Sequence, residues 1–313
     1  MKFADLHLHT LFSDGTYTPE ELVLKAVDAG LACIAITDHD TVCGLAQAIA
    51  IGRDKGLEVL PGIELSAEYG SQEVHVLGYL INYKLRGFLR QLDILRENRV
   101  MRVHKIIGKL NAVGINLDTQ AVFDICAGGI PGRLHIARAL VKGGFVKSIF
   151  EAFNKYIGDK GPAYVLGFHF SPQDAIRFIR DAGGVSVLAH PHCLHNDELI
   201  LKFAKLGLMG LEAYYPEYSQ EETNFYLNLA KEYNLLVTGG SDCHGNAKSE
   251  VKIGSVKIPY ELVEKLKEAN DPASSAYSAI RKAQGLKQMN PAPSKSSNRI
   301  KRRCGVNKKE GAG

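Results

Sequence analysis

Residues 3–30, FADLHLHTLFSDGTYTPEELVLKAVDAG, read as one strand, one loop and one helix. Alternating apolar positions in FADLHLHT fit a strand. The helix that follows is bracketed by Thr18 as N-cap, Pro19 at its first position, Glu21 at the capping-box position and Gly30 at its stop. Alternation puts His7 and His9 on one face at the strand's end, with Asp14 in the next loop. The same unit recurs along the chain. LACIAITDHD (31–40) is a strand, TVCGLAQAIAIGRDKG (41–56) a helix and LEVLPGIELSAEY (57–69) a third strand. Later come DAIRFIRDAG, GVSVLAHPH, ELILKFAKLG, GLEAYYP, TNFYLNLAKEYN and LLVTGGSDCH. Strand–helix units of this length predict parallel strands with helices outside, most simply an α/β barrel.

The rhythm breaks between residues 92 and 165. LDILRENRVMRVHKIIGKLNAVG is a long helical pattern with Val100, Val103, Ile107 and Leu110 as its apolar stripe. Arg96, Arg99 and Arg102 recur every three residues on another face, and either a solvated face or a phosphate-binding row fits them. GIPGRLHIARALVKGG and SIFEAFNKYIG add more helix. The expected organisation is therefore a barrel in two parts, residues 1–91 and 166–270, with a small helical insertion, 92–165, over its mouth. Residues 271–313 hold one weak helix and then a Lys/Arg/Ser/Pro/Gly-rich tail expected to be disordered.

Composition narrows the class. A hydrophobic fraction of 45% against 23% charged is ordinary for a globular enzyme. No apolar run approaches the roughly 20 residues a membrane span needs, and the start lacks a secretory pattern. The six cysteines (33, 43, 126, 193, 243 and 304) form no CxxC pair, so reduced thiols and a cytoplasmic location are expected. The net charge of +4 owes part of itself to the tail and says little about the folded body.

Polar residues follow the apolar runs consistently. His39 ends TDHD, Glu64 ends PGIEL, His75 lies in EVHVLGY, His190 in VLAHPH, and Asp242 and His244 in GGSDCH. Singly, each histidine is more ordinary as a loop or core residue than as a ligand. Jointly, at successive strand ends, they predict a cation centre. Imidazoles with carboxylates suit Mn²⁺, Fe²⁺ or Zn²⁺ rather than Mg²⁺ or Ca²⁺. Nine candidate ligands exceed the need of one ion, so two or three ions with bridging groups are expected. His104, His169, His192 and His195 lack such placement and read as surface or supporting residues. Asp5 and Asp40 are candidates for orienting the imidazoles.

These motifs, from DLHLHTLFSDG through ITDHDT, PGIELS, EVHVLGY and VLAHP to GGSDCHG, resemble the PHP (polymerase and histidinol phosphatase) superfamily over residues 3 to 258. RENRVMRVHKI, GRLHIARAL and FNKYIGDKGPAYV are similar to the insertion of one subgroup, the nucleoside 3′,5′-bisphosphate phosphatases, which include 5′→3′ exoribonucleases acting on short RNA. The resemblance implies a distorted (β/α)7 barrel and three cation sites, commonly manganese. One takes His7, His9, Glu64 and Asp242, a second Glu64, His75 and His190, and a third Asp14, His39 and His244. Asp14 stands where many members have histidine, a departure typical of this subgroup. Asp14, His244 and Glu64 are the implied catalytic members, and Cys243 reads as packing.

The implied chemistry is in-line attack on phosphorus by activated water, without a covalent enzyme intermediate, since no GxSxG nucleophile elbow occurs. Arg99, Arg102 and Arg133 can hold a second phosphate by bidentate forks, with His135 as a further donor. A nucleotide bearing two phosphates or a short 5′-phosphorylated RNA is the expected substrate. Three other readings stay open: another phosphomonoesterase such as a histidinol phosphatase, an amidohydrolase, and a non-catalytic RNA-binding module using the basic tail.

Overall fold

The protein is described from a computed structural model covering residues 1–167, 170–271, 273, 274, 279 and 280. His169, the tail, and nearly all of the weak helix expected after residue 271 lie outside these residues. One sheet of eight strands organises the chain: β1 (Phe3–Leu8), β2 (Cys33–Ile36), β3 (Glu58–Tyr69), β4 (Gln72–Tyr79), β5 (Val185–Leu188), β6 (Gly210–Tyr214), β7 (Leu236–Gly239) and β8 (Ile258–Pro259). Their spatial order is β7-β6-β5-β4-β3-β2-β1-β8. Leu8 also bridges Cys243, just past β7, and His9 N donates to Cys243 O at 3.1 Å. The sheet thus nearly closes on itself into a distorted barrel.

The expected parallel arrangement holds for β1–β2–β3 and for β5–β6–β7. It does not hold for β4, which runs antiparallel to both neighbours, and the two-residue β8 is an addition to the seven strands expected. The cause is local. Only Gly70 and Ser71 separate β3 from β4, with Gly70 at φ +64°, and a two-residue turn can join only antiparallel strands.

The helices are α1 (Pro19–Asp28), α2 (Leu45–Lys55), α3 (Arg86–Ala112), α4 (Thr119–Cys126), α5 (Arg133–Lys142), α6 (Ile149–Ala152), α7 (Pro172–Asp181), α8 (Glu198–Lys205), α9 (Gln220–Glu232) and α10 (Tyr260–Asn270). Thr18 caps α1 reciprocally with Glu21, as the sequence predicts. Alternate residues of β2 serve two apolar clusters. Ile34 and Ile36 belong to the cluster that residues of α1, α2, α3, α7, α8 and α9 share, whereas Cys33 and Ala35 belong to the one that includes α10. Among the described residues, no helix is long and apolar enough to cross a membrane.

A third cluster unites the second half of α3 with α4, α5, α6 and the π-helical turn Phe153–Ile157. Helix α3 begins at Arg86 and runs unbroken across residue 92, about 40 Å at 1.5 Å per residue. Leu92 and Leu95 pack on the barrel side, while Val103, Ile107 and Leu110 join the third cluster. Val100 is only half-buried, and Ile106 takes its expected place in the stripe. Arg99 and Arg102 are buried, so the solvated-face reading fails for them and holds for the exposed Arg96.

Candidate metal centre

Local backbone irregularity aims the site. Asp5 pairs with Ile34 and Leu8 with Ile36, so β1 carries an extra residue there, in a bulge that contains His7. A second irregularity in β6 lies beside Glu212, between its pairing with Thr238 and that of Tyr214 with Gly239. His190 (φ 27°) and Asp242 (φ 51°) occupy left-handed backbone conformations that non-glycine residues rarely adopt, as strained functional positions often do. Gly240 lets the turn after β7 pass against β1, since a Cβ there would collide with His7 N. Asp38 fixes the loop that carries His9 and Asp14, accepting from Thr10 N, Thr10 Oγ1 and Ser13 Oγ, each at 2.6 Å.

All nine residues singled out from the strand ends face one hollow, and Glu64 lies at its centre. Its Oε1 is 2.8 Å from His75 Nδ1 and 3.1 Å from His190 Nε2. Its Oε2 is 3.1 Å from His39 Nδ1, 3.2 Å from His9 Nε2 and 3.3 Å from His7 Nε2. Asp242 Oδ1 is 3.1 Å from His9 Nε2 and 3.4 Å from His7 Nε2. Asp14 Oδ1 lies 3.2 Å from His244 Nε2, and its Oδ2 3.8 Å from His39 Nε2. Three overlapping groups could each hold a cation: His9, Asp14, His39 and His244; His7, His9 and Asp242; and His39, Glu64 and His75.

The donor set fits cations on independent grounds. Eight buried side-chain N or O atoms lack a hydrogen bond among the described residues. Five of them are His7 Nε2, His9 Nε2, Asp14 Oδ1, His39 Nδ1 and Glu64 Oε2. An unsatisfied buried polar atom costs about 1–3 kcal/mol, so five in one hollow call for a ligand that accepts lone pairs. The buried His/Asp/Glu groups fit a multi-metal site.

Charge is finely divided within the hollow. Burial opposes ionisation of Glu64, yet His39, His75 and His7 hold it well below the usual carboxylate range. Asp14, likewise desolvated, is held low by His244 and His39, and Asp242 by Lys248, His244 and His7. Burial also disfavours charge on His9, but Asp242 and Glu64 outweigh it and push the ring up to about 9. Against the same burial, Glu212, Glu64 and Asp242 raise His7 well above its ordinary value. His39 and His244 are instead pushed down, chiefly by burial.

Supporting groups differ from those the sequence pointed to. Asp5 binds backbone, accepting from Ser241 N and Gly254 N at 2.8 Å, rather than orienting an imidazole. Asp40 accepts from Ser66 N at 3.1 Å and from Arg99 Nε at 2.5 Å, rather than orienting an imidazole. The carboxylate that orients His7 is Glu212, whose Oε1 lies 2.9 Å from His7 Nδ1 while its Oε2 accepts from His190 N at 2.8 Å. Its signal was a lone acid inside the apolar run GLEAYYP. Asp242 Oδ2 is held by Tyr215 Oη and Lys248 Nζ, each at 2.9 Å. Cys243 is a buried free thiol, 3.4 Å from Val251 O and outside all three groups. Cys33, Cys126 and Cys193 are free as well. His104 and His195 are exposed, and His192 Nδ1 is 3.1 Å from Tyr218 Oη.

The residues expected to read a second phosphate lie on one side. Arg99 also donates to Ser66 Oγ at 2.6 Å. Arg102 and Arg133 both reach Glu73 Oε2, at 2.8 and 3.0 Å, and Arg133 also reaches Asp159 Oδ1 at 2.7 Å. His135 is buried, and burial lowers its pKa to about 4. Its Nδ1 accepts from Gly132 N at 3.1 Å, which leaves the proton of the neutral ring on Nε2 as a donor.

Known proteins place this geometry. The PHP domain family profile matches residues 5–111. A 3′,5′-nucleoside bisphosphate phosphatase of Chromobacterium violaceum is 32% identical over 256 residues, 80% of this chain and 90% of that protein. A 5′-3′ exoribonuclease of Haemophilus influenzae is 30% identical over 250 residues, 77% of this chain and 89% of that protein. A solved structure from Bifidobacterium adolescentis, described as a metal-dependent phosphoesterase, superposes with a TM-score of 0.77 at 31% identity. That match covers 84% of this chain and 94% of the other.

Proposed function

The chain belongs to the PHP domain family of metal-dependent phosphoesterases, and from that premise we propose that it hydrolyses the 3′-phosphate of nucleoside 3′,5′-bisphosphates. It also shortens 5′-phosphorylated RNA from the 5′ end. The observation that carries this reading is the placement of Arg102 and Arg133 one carboxylate away from His75. Two guanidiniums share Glu73 Oε2 while its Oε1 sits 3.0 Å from His75 Nε2. A cation hollow with an arginine pair beside it suits a substrate whose second phosphate lies one nucleoside from the first.

We assign His7, His9, Glu64 and Asp242 to one ion, Glu64, His75 and His190 to a second, and Asp14, His39 and His244 to a third. Manganese is the proposed metal, and iron or zinc suits the same donors. Such ions, when bound, lower the pKa of water and offset charge on the phosphoryl group. Glu64 supplies one oxygen to each side of the hollow. Glu212 holds His7 so that Nε2 faces inward. Tyr215 and Lys248 occupy Asp242 Oδ2, which leaves Oδ1 for the centre. Arg133, with a side chain 17% exposed, takes the second phosphate, and His135 offers Nε2–H. Arg102 joins Arg133 at that phosphate, and Arg99 stiffens the same side from α3.

The test is a pair of substrates. Arg133→Ala should raise KM for adenosine 3′,5′-bisphosphate about 10- to 100-fold, the loss of one charge-assisted contact, and change p-nitrophenyl phosphate hydrolysis less than threefold. Equal effects on both substrates would remove the arginine from substrate recognition and favour a simpler phosphomonoester.

A further inference from the structure

Glu73 has no part in any of the three cation groups, yet it touches both halves of the site. It lies two residues before His75 on β4, so alternation sets both side chains on one face. Its two oxygens do different work. Oε1 is 3.0 Å from His75 Nε2, and Oε2 receives Arg102 Nη2 at 2.8 Å and Arg133 Nη2 at 3.0 Å. The side chain is 9% exposed. With Glu73 beside Nε2, the other ring nitrogen, His75 Nδ1, faces Glu64 Oε1 2.8 Å away and is the one left for a cation.

The arginines arrive from two other elements, α3 and α5. Arg102 comes from α3 and also donates through Nε to Val165 O at 2.9 Å, while Arg133 begins α5. Both guanidiniums lie over the ring of Tyr164, at 5.9 and 5.5 Å. Arg102 and Arg133 divide their donors among Glu73 Oε2, Asp159 Oδ1 and Val165 O, and a phosphate can compete for the two hydrogen bonds that Glu73 now receives. Glu73 would then become a stronger acceptor for His75 Nε2–H and make His75 Nδ1 a better donor to a cation.

We propose that Glu73 is a positioning residue coupling the two recognition events: a phosphate at Arg102 and Arg133 and a cation at His75 strengthen each other's binding through its two oxygens. The inference rests on the arginine pair as the second-phosphate site proposed above. By linkage the enhancement must be equal in both directions.

Calorimetric titration of metal-stripped protein tests it without turnover. Mn²⁺ is titrated with and without saturating adenosine 5′-monophosphate, and the nucleotide with and without Mn²⁺. In the unaltered protein each should tighten the other about tenfold, within the usual range of coupled sites. In Glu73→Gln, nucleotide binding without metal should tighten, Mn²⁺ binding should weaken about tenfold, and mutual enhancement should fall to about twofold. Glu73→Asp keeps the charge but cannot span both partners, so it should lose the enhancement too, and it carries the test should the glutamine variant fail to fold. An enhancement unchanged in either folded variant overturns the proposal. Bisphosphate hydrolysis that persists with such unchanged coupling leaves the substrate reading standing. Intact coupling without bisphosphate hydrolysis does the reverse.

Discussion

The barrel's strand ends and the helical segment beside them both contribute buried charged side chains, but they bring them together by different means. His7, His9, His39, Glu64 and His75 sit on or just past strands whose registers fix their direction, and all meet at one carboxylate. Arg99, Arg102 and Arg133 come from two helices, and each is held by a carboxylate from the barrel or its rim, Asp40 or Glu73, with Asp159 of the helical segment also on Arg133. Convergence on the first side follows from the sheet. On the second it depends on how α3 and α5 dock. Damage at the strand ends should therefore harm every substrate, whereas damage on the helical side should depend on what the substrate offers there.

Glu64→Gln gives the largest expected effect. An amide cannot serve ions on both sides of it, so activity should fall about a thousandfold, about 4 kcal/mol of barrier, on p-nitrophenyl phosphate and bisphosphate alike. Metal analysis of the purified variant should show at least one ion lost. Retention of full metal content with selective loss on the bisphosphate would erase the distinction between the two sides.

A smaller effect is expected from pH on metal-stripped protein. His9 is pushed up to about 9, and His7, His75 and His190 lie above their ordinary values, so the folded state holds protons that the unfolded state releases near 6.5. Stability from these groups is complete below about 6.5 and is lost as pH rises through about 9. The depressed acids Asp14, Glu64 and Asp242 contribute throughout that window. The Tm of stripped protein should fall between pH 7 and 9, and Mn²⁺, which displaces the same protons, should restore it. A Tm that climbs over this range without metal would refute the charge distribution described for the hollow.

The two sides also differ in how legible they were. A period of two is rigid, so FADLHLHT and the acids and histidines ending later strands declared a shared direction. The hairpin did not announce itself: Gly70 and Ser71 follow the third strand, 57–69, directly, but the repeated strand–helix rhythm predicts parallel neighbours. Glu212, Glu73 and Lys248 escaped notice for another reason: each acts through a residue brought near by the fold, and a lone acid or lysine carries no period. On α3 the three-residue spacing misled. Successive steps of three turn a helix 300°, so Arg96 and Arg102 end up about 120° apart and cannot share one face.

That rotation supplies the smallest expected effect. Arg96 is exposed and donates only weakly to Gly128 O, at 3.4 Å, while Arg99 and Arg102 on the same helix are buried. Arg96→Ala should move Tm by no more than about 0.5 kcal/mol of stability allows and should change KM for the bisphosphate less than twofold. Arg133, with Nη2 on Glu73 and Nη1 on Asp159, should lose far more in the parallel assay. The contrast isolates burial and partner from mere positive charge, since all these residues are arginine. Should Arg96→Ala raise KM as much as Arg133→Ala, a diffuse basic surface rather than a built phosphate site would be reading the substrate, and salt should then weaken binding steeply.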